Sequence, residues 1–284
     1  MKVILTLLCR DEDDILESVL RFHLANGIDH VIATDNGSTD RSLSILQRFE
    51  RLGKLQLIQE KEHNHDQAVW VTRMARLAAE QGADWVINSD ADEFWWPTNG
   101  TLKTMLEQIP LHIKACNVER TNFLPPPRNT STRRAFYIRQ NLRERVSYNS
   151  LGKPLPPKVI HRGERKITLS DGNHSAYLEG QLLETIPCQG INILHYPIRS
   201  YTQLERKIRQ GTEALERNTR VDPGVGNAWR KIYHDHLADG NLKDYYDGLR
   251  PSDREITKML DKGELIHDKR LLRALRRSPS WLPW

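Results

Sequence analysis

Cysteine is scarce, with three residues at positions 9, 116 and 188 and no CxxC pair. That excludes a disulfide framework and a cysteine-ligated zinc site, and it fits a reducing compartment. Long apolar runs are missing as well, since nothing approaches the roughly 20 residues that span a membrane. The opening "MKVILTLLCRDEDD" has a run of only about seven apolar residues, followed by acids where small residues would mark a cleavage site. A secretory leader is therefore not expected, and the chain reads as cytosolic. Internal repeats are absent too. What is present is ordinary for a soluble globular protein: 284 residues, 38% hydrophobic and 28% charged, enough to bury a substantial core.

The net charge of +5 hides a division. Residues 1–120 carry 13 Lys and Arg against 19 Asp and Glu, whereas residues 121–284 carry 29 against 18. An acidic first half joined to a basic second half suggests that the second meets something anionic, or simply presents a solvated basic surface.

Along the chain, "KVILTLLC" (2–9) reads as a buried strand, and "DDILESVLRFHLANG" as a helix stopped by Gly27. "DHVIATD" (29–35) is a second strand. "STDRSLSILQRFERLG" is a second helix with Ser38 or Thr39 as N-cap. "KLQLIQ" (54–59), "DQAVWVTRMARLAAEQG" (66–82) and "ADWVINSD" (83–90) continue as strand, helix and strand. That alternation predicts an α/β fold with a parallel sheet. Further on, 101–109 reads as helix and 112–119 as strand. "NFLPPPRNTSTRR" reads as a loop, and "AFYIRQ", "PKVIHR" and "INILHYP" as short strands of a mixed sheet. Residues 200–218 and much of 228–277 are expected to be helical.

In an open parallel sheet, ligands sit outside the carboxyl ends of the strands. Polar clusters follow all four early strands: "CRDE", "DNGSTD", "HNHDQ" and "DADEF". One acidic end could be a turn; four argue for a single polar cleft. In "DADE" the extended backbone points Asp90 and Asp92 the same way. Two such carboxylates suit a hard cation, Mg²⁺ or Mn²⁺, although one could instead cap a helix. Asp92 is expected to be exposed in that cleft.

The stretch "LLCRDEDDILESVLRFHLANGIDHVIATDNGSTDRS", followed by "WVINSDADEFWWP", resembles glycosyltransferase family 2 in its bacterial DxDEF branch. "GNHSA" (172–176) and "LHYPIRSYTQLERKI" (194–208) echo that branch's second half. The resemblance implies a GT-A fold, with residues 1–120 as nucleotide-sugar-binding half and 121–284 as acceptor-binding half with C-terminal helices, in one continuous unit. It implies metal-dependent, inverting transfer of a sugar from a nucleotide-sugar donor to a glycan or lipid-linked acceptor. By position, Cys9, Arg10, Glu12, Asp35, Arg73 and Asp90 would bind the donor. Asp90, Asp92 and His195 would hold Mn²⁺ or Mg²⁺, and Asp171 or His174 would be the base. Asp40 is expected to cap the second helix. "CRDE" stands where an Asn-Glu pair is usual. Trp95 and Trp96 could stack on an acceptor sugar, or one of them could anchor the following loop. His63 and His65 read as loop histidines near the acceptor, not as zinc ligands.

The segment 268–284 sets Leu271, Leu272 and Leu275 among Lys269, Arg270, Arg273, Arg276 and Arg277, with Trp281 and Trp284 beyond. It could lie on an anionic membrane at the inner face of the cell membrane, or pack as a helix on its own domain. Two other classes compete with the enzyme reading. A sugar nucleotidyltransferase should carry a basic, glycine-rich phosphate loop after the first strand, and "CRDEDD" is opposite in charge. A nucleic-acid-binding protein would need interleaved aromatics in the basic half, which are lacking, so no nucleic-acid partner is expected.

Overall fold

A computed structural model describes residues 1–61, 66–128, 134–149, 152–218 and 224–277. In chain order the first elements are β1 (Val3–Cys9), α1 (Leu16–Ala25), β2 (His30–Asp35), α2 (Ser42–Arg51), β3 (Leu55–Gln59), α3 (Gln67–Glu80) and β4 (Trp85–Asp90). β5 (Glu93–Pro97), α4 (Leu102–Glu107), β6 (Ala115–Val118), β7 (Arg120–Asn122), α5 (Phe136–Arg139), β8 (Leu142–Glu144) and β9 (Lys158–Arg162) follow. Then come β10 (Ile167–Leu169), a 3₁₀ turn (Asp171–Asn173), β11 (Ala176–Leu178), β12 (Gln181–Leu182), β13 (Thr185–Pro187) and β14 (Ile191–His195). The remainder is α6 (Tyr201–Arg217), α7 (Asn227–Ile232), a π turn (Tyr233–Leu237), α8 (Leu242–Gly248), α9 (Asp253–Asp261), β15 (Leu265–His267) and α10 (Arg270–Arg277).

The chain forms two compact units. The first holds Met1–Arg120 and Pro156–Leu194; the second holds Thr121–Leu155 and His195–Arg276. The chain leaves the first unit after residue 120 and returns to it at Pro156.

The first unit is built on a seven-stranded sheet of order β13-β6-β9-β4-β1-β2-β3. β4, β1, β2 and β3 run parallel, β9 is antiparallel to both its neighbours, and β13 is parallel to β6. This is the mostly parallel α/β plan expected from the sequence. β1 reads as an unbroken apolar run because a central parallel strand is covered on both faces. Val3, Ile4, Leu5 and Leu7 are fully buried, each contributing about 1.5–3 kcal/mol relative to exposure. α3 lays Val71, Met74, Ala75 and Ala78 onto Ile4, Ile32, Val86, Val159 and Ile167. Gly27, at φ +94°, ends the turn after α1, where a Cβ would come 3.0 Å from Lys103 Cβ. β14 pairs with β5, a strand not expected from the sequence.

In the second unit, Leu204, Ile208, Leu242 and Tyr246 form a core that Tyr201, Trp229 and Tyr233 complete. β8 pairs antiparallel with β15. "AFYIRQ", expected to be a strand, is instead the one-turn helix α5, with Phe136 buried beside Tyr196. A short apolar segment fits either period, and packing decides. Leu271 and Leu275 of α10 are buried, which is the packed alternative for that segment. Its residues 278–284, including both tryptophans, lie outside the described residues, as do His63, His65 and 129–133 of the proline-rich loop.

Candidate functional site

Sheet register brings the ends of the parallel strands side by side. Cys9 is opposite Asp35, Leu8 opposite Asp90, and Asp35 opposite Gln59. The loops that follow β1 and β2 are tied together through Asp11. Its Oδ1 accepts from the Thr39 amide at 2.6 Å, the Asp40 amide at 3.1 Å and the Thr39 hydroxyl at 3.2 Å. The Asp11 amide donates to Ser38 Oγ and the Glu12 amide to Ser42 Oγ. Asp11 therefore sits at φ +53°, a conformation that aspartate tolerates better than most residues. These bonds occupy Ser38 and Thr39 in the loop, so the N-cap of α2 falls at Arg41, two or three residues later than expected, and the helix begins at Ser42. Asp40 Oδ1 accepts from the Ser42 amide at 2.8 Å, but the cap position itself is Arg41, without a side-chain cap bond, so Asp40 stands one residue before the cap it was expected to be.

The donor-side candidates are accordingly in one unit but not in one role. Cys9 is buried, and burial first, then the Glu12 and Asp35 carboxylates, pushes its thiol well above the ordinary range. It is a packing thiol and not a nucleophile. Asp35 is buried; Oδ2 accepts from the Ser38 amide at 3.1 Å, while Oδ1 has no hydrogen-bond partner among the described residues. Arg73 pairs through Nη1 with Glu60 at 2.6 Å, and its Nε and Nη2 are buried without partners among the described residues. The same holds for Nε of Arg10. Unmatched donors of this kind are costly unless a ligand meets them.

At the end of β4, Asp90 is half-buried but Asp92 and Glu93 are buried, Asp92 at 2% exposure. Asp92 is thus not an exposed cleft residue, because the chain turns at once into β5. Lys158, at the first position of β9, is 1% exposed and places Nζ 2.5 Å from Asp90 Oδ2 and 3.3 Å from Glu93 Oε1. Arg120 Nη1 lies 3.6 Å from the same Glu93 oxygen. Burial pushes the Asp90 carboxyl up, but the Lys158 ammonium more than offsets it and holds the group below its usual value. Among the described residues, Asp90 Oδ1 receives only long bonds, from Gln67 at 3.3 Å and Asn173 at 3.4 Å. Lys158, Gln67 and Asn173 are site residues that reasoning from sequence missed. Their only signal is polarity within apolar or turn segments, which is too weak without the pairing.

The turn bearing the two candidate bases lies against this group. Asp171 Oδ1 accepts from the Ala68 amide at 3.2 Å in the first turn of α3, and the Gly172 amide donates to Gln67 Oε1 at 3.3 Å. His174 donates from Nδ1 to the Pro157 carbonyl at 2.8 Å. Burial first, then the Lys158 charge, pushes its imidazole down to about 4. Of the two tryptophans, Trp95 is fully buried and donates from Nε1 to Ser89 Oγ at 3.1 Å. With no exposed face it cannot stack on a sugar, so the loop-anchoring alternative holds for it. Trp96 is half-buried and stacks on Phe22 at 5.5 Å. His195 belongs to the second unit, where Nδ1 meets Asn122 Oδ1 at 2.7 Å. Among the described residues no group of three or more His, Cys, Asp and Glu is placed to hold a metal ion. The expected set of Asp90, Asp92 and His195 is not among such groups. Its two carboxylates are the hard-oxygen type a divalent cation takes, and the loosely bonded Oδ1 of Asp90 fits one.

No curated protein matches the chain. Among solved structures, residues 1–349 of S. aureus TarS in complex with UDP-GlcNAc are similar at 11% identity, with 84% of this chain and 75% of that chain covered and a TM-score of 0.42. The glucosyl-3-phosphoglycerate synthase of Mycobacterium tuberculosis, in complex with Mn²⁺, UDP and phosphoglyceric acid, is similar at 15% identity over 43% of each chain, with a TM-score of 0.28. A 4-diphosphocytidyl-2C-methyl-D-erythritol synthase is similar at 11% identity over 57% of this chain and 75% of that one, with a TM-score of 0.33. Likenesses this distant decide nothing about activity. The family assignment comes from the sequence. The matched family is 92, so the family 2 resemblance holds only at the level of a glycosyltransferase. Residues 11–223, which include Asp11, Asp35, the Asp90–Glu93 run, Lys158 and Asp171, match the sequence model of glycosyltransferase family 92, and the chain belongs to that family.

Proposed function

We propose that this glycosyltransferase moves a sugar from a nucleotide-sugar donor to a glycan or glycolipid acceptor, with inversion and with Mn²⁺ or Mg²⁺. The observation that carries the reading is the register that aligns Cys9, Asp35 and Asp90 at the carboxyl ends of adjacent parallel strands. Asp35 Oδ1 suits a ribose or base donor group, and the spare N–H groups of Arg10 and Arg73 suit phosphate oxygens. Asp90 and Asp92 would hold the cation, which when bound offsets the charge that develops on the departing nucleoside diphosphate. Asp171 and His174 are the two candidate bases; with its Nδ1 proton held by the Pro157 carbonyl, His174 would accept through Nε2, and Asp171 through its carboxylate. Trp96 remains the acceptor-side candidate of the tryptophan pair.

No helix among the described residues is long and apolar enough to cross a membrane. In this reading the protein works in the cytoplasm and meets lipid-linked acceptors through the 268–284 segment, where Lys269, Arg273 and Arg276 are exposed. A thermal-shift panel of nucleotide sugars, with and without Mn²⁺, tests the donor assignment. One nucleotide sugar should stabilise the protein and release its diphosphate when an acceptor extract is added. Stabilisation by none of them, or release of pyrophosphate in place of a nucleoside diphosphate, overturns it.

A further inference from the structure

The carboxylates that follow β4 already have a cation supplied by the chain. Lys158 is buried with Nζ between Asp90 and Glu93, and Arg120 backs the same Glu93 oxygen. A lysine is almost never fully buried unless it is paired, and a buried ion pair is often no more stabilising than apolar residues of the same volume. If packing alone governed this position, a leucine or methionine would serve it better. The ammonium therefore answers a need for charge. The half-buried Asp90 and the buried Asp92 and Glu93 crowd three carboxylates within four residues, and Lys158 meets two of them, with Arg120 beside Glu93.

Resting on the reading of Asp90 and Asp92 as the cation-holding pair, we propose that Lys158 is the positioning residue that sets the metal affinity of the site. It holds one oxygen of Asp90 and keeps the carboxylates together before any ligand arrives. With that oxygen taken, Asp90 would offer a divalent cation less negative charge beside a fixed ammonium that repels it. Such a site would bind metal weakly by itself, and an anionic diphosphate would strengthen the binding.

The test uses the full-length protein and Mn²⁺ alone, without nucleotide, with free Mn²⁺ read by electron paramagnetic resonance. Lys158→Met should bind Mn²⁺ about tenfold more tightly than wild type, or better, because a charge at close range is removed from a poorly screened site. Lys158→Arg, which keeps the charge, should bind as wild type does. Lys158→Met should also melt lower in chelator and recover when Mn²⁺ is added. If that variant does not fold, Lys158→Gln retains a donor for Asp90 and should show the same gain. Adding Asp90→Asn to either variant should restore stability in chelator and abolish the gain in Mn²⁺ affinity. Equal Mn²⁺ affinity in the neutral variants and wild type overturns the proposal, as does a gain that survives Asp90→Asn. Because neither donor nor transfer enters the measurement, a failed nucleotide-sugar panel and a failed Lys158 assignment are distinguishable.

Discussion

Acidification should loosen the backing of the site through His23, and the effect can be worked from its surroundings. His23 is buried on α1; its Nδ1 donates to the Val19 carbonyl at 2.8 Å, and its Nε2 accepts from the Trp95 amide at 3.1 Å. Both nitrogens are satisfied only in the neutral ring, since a proton on Nε2 would face the Trp95 N–H. Burial pushes the imidazole down from 6.5 to about 4. The unfolded chain therefore binds a proton that the folded chain refuses between those values. Stability is full above pH 6.5 and falls as pH drops toward 4. The shift corresponds to about 3 kcal/mol in full, of which about 1 kcal/mol is lost between pH 7.5 and 5.5. His161, also held near 4 by burial, adds a loss of the same sign. Urea unfolding at the two pH values would measure it in wild type and in His23→Leu. The variant should be about 1–3 kcal/mol less stable at pH 7.5, because the Trp95 amide loses its acceptor. Its further loss on acidification should be smaller than wild type's by about 1 kcal/mol. An identical acid loss in both proteins, or an NMR titration placing the His23 ring near 6.5, would refute the argument.

Other substitutions separate roles. Gly172 sits at φ +71°, and a Cβ there would fall 2.5 Å from His174 Nε2, so Gly172→Ala should cost about 1–3 kcal/mol in thermal unfolding and displace the histidine. Asp171→Ala should lose about 1 kcal/mol through the unmatched Ala68 amide. Asp171→Asn keeps the acceptor oxygen, so its melting should stay near wild type while transfer collapses if the carboxylate is the base; undiminished transfer removes it from that role. Leu271, 1% exposed, should cost about 2–5 kcal/mol when cut to alanine, by calorimetry. Co-sedimentation with anionic vesicles at low and high salt tests the membrane proposal, which fails if full-length protein stays in the supernatant at both.

Local sequence determined the parallel half of this molecule. "VILTLLC", "HVIATD" and "WVINSD" are legible because strands covered on both faces need continuous apolar residues, and helices between them leave the 3.6-residue period and a closing glycine. The acids at the strand ends follow from the same reading, since the carboxyl ends of such a sheet lie together. What the residues around Asp90 do was not legible. "EFWWP" carries its strand pairing in β14, about a hundred residues on, and the burial that removes Trp95 and Asp92 from solvent comes with it. "PKVIHR" reads as a strand, yet nothing local places it antiparallel between β4 and β6. That choice brings Lys158 within 2.5 Å of Asp90, 68 positions away. The charge balance of the site thus belongs to the tertiary structure: a strand's period is set by its own residues, but its neighbours are chosen by how the whole sheet can be covered and paired.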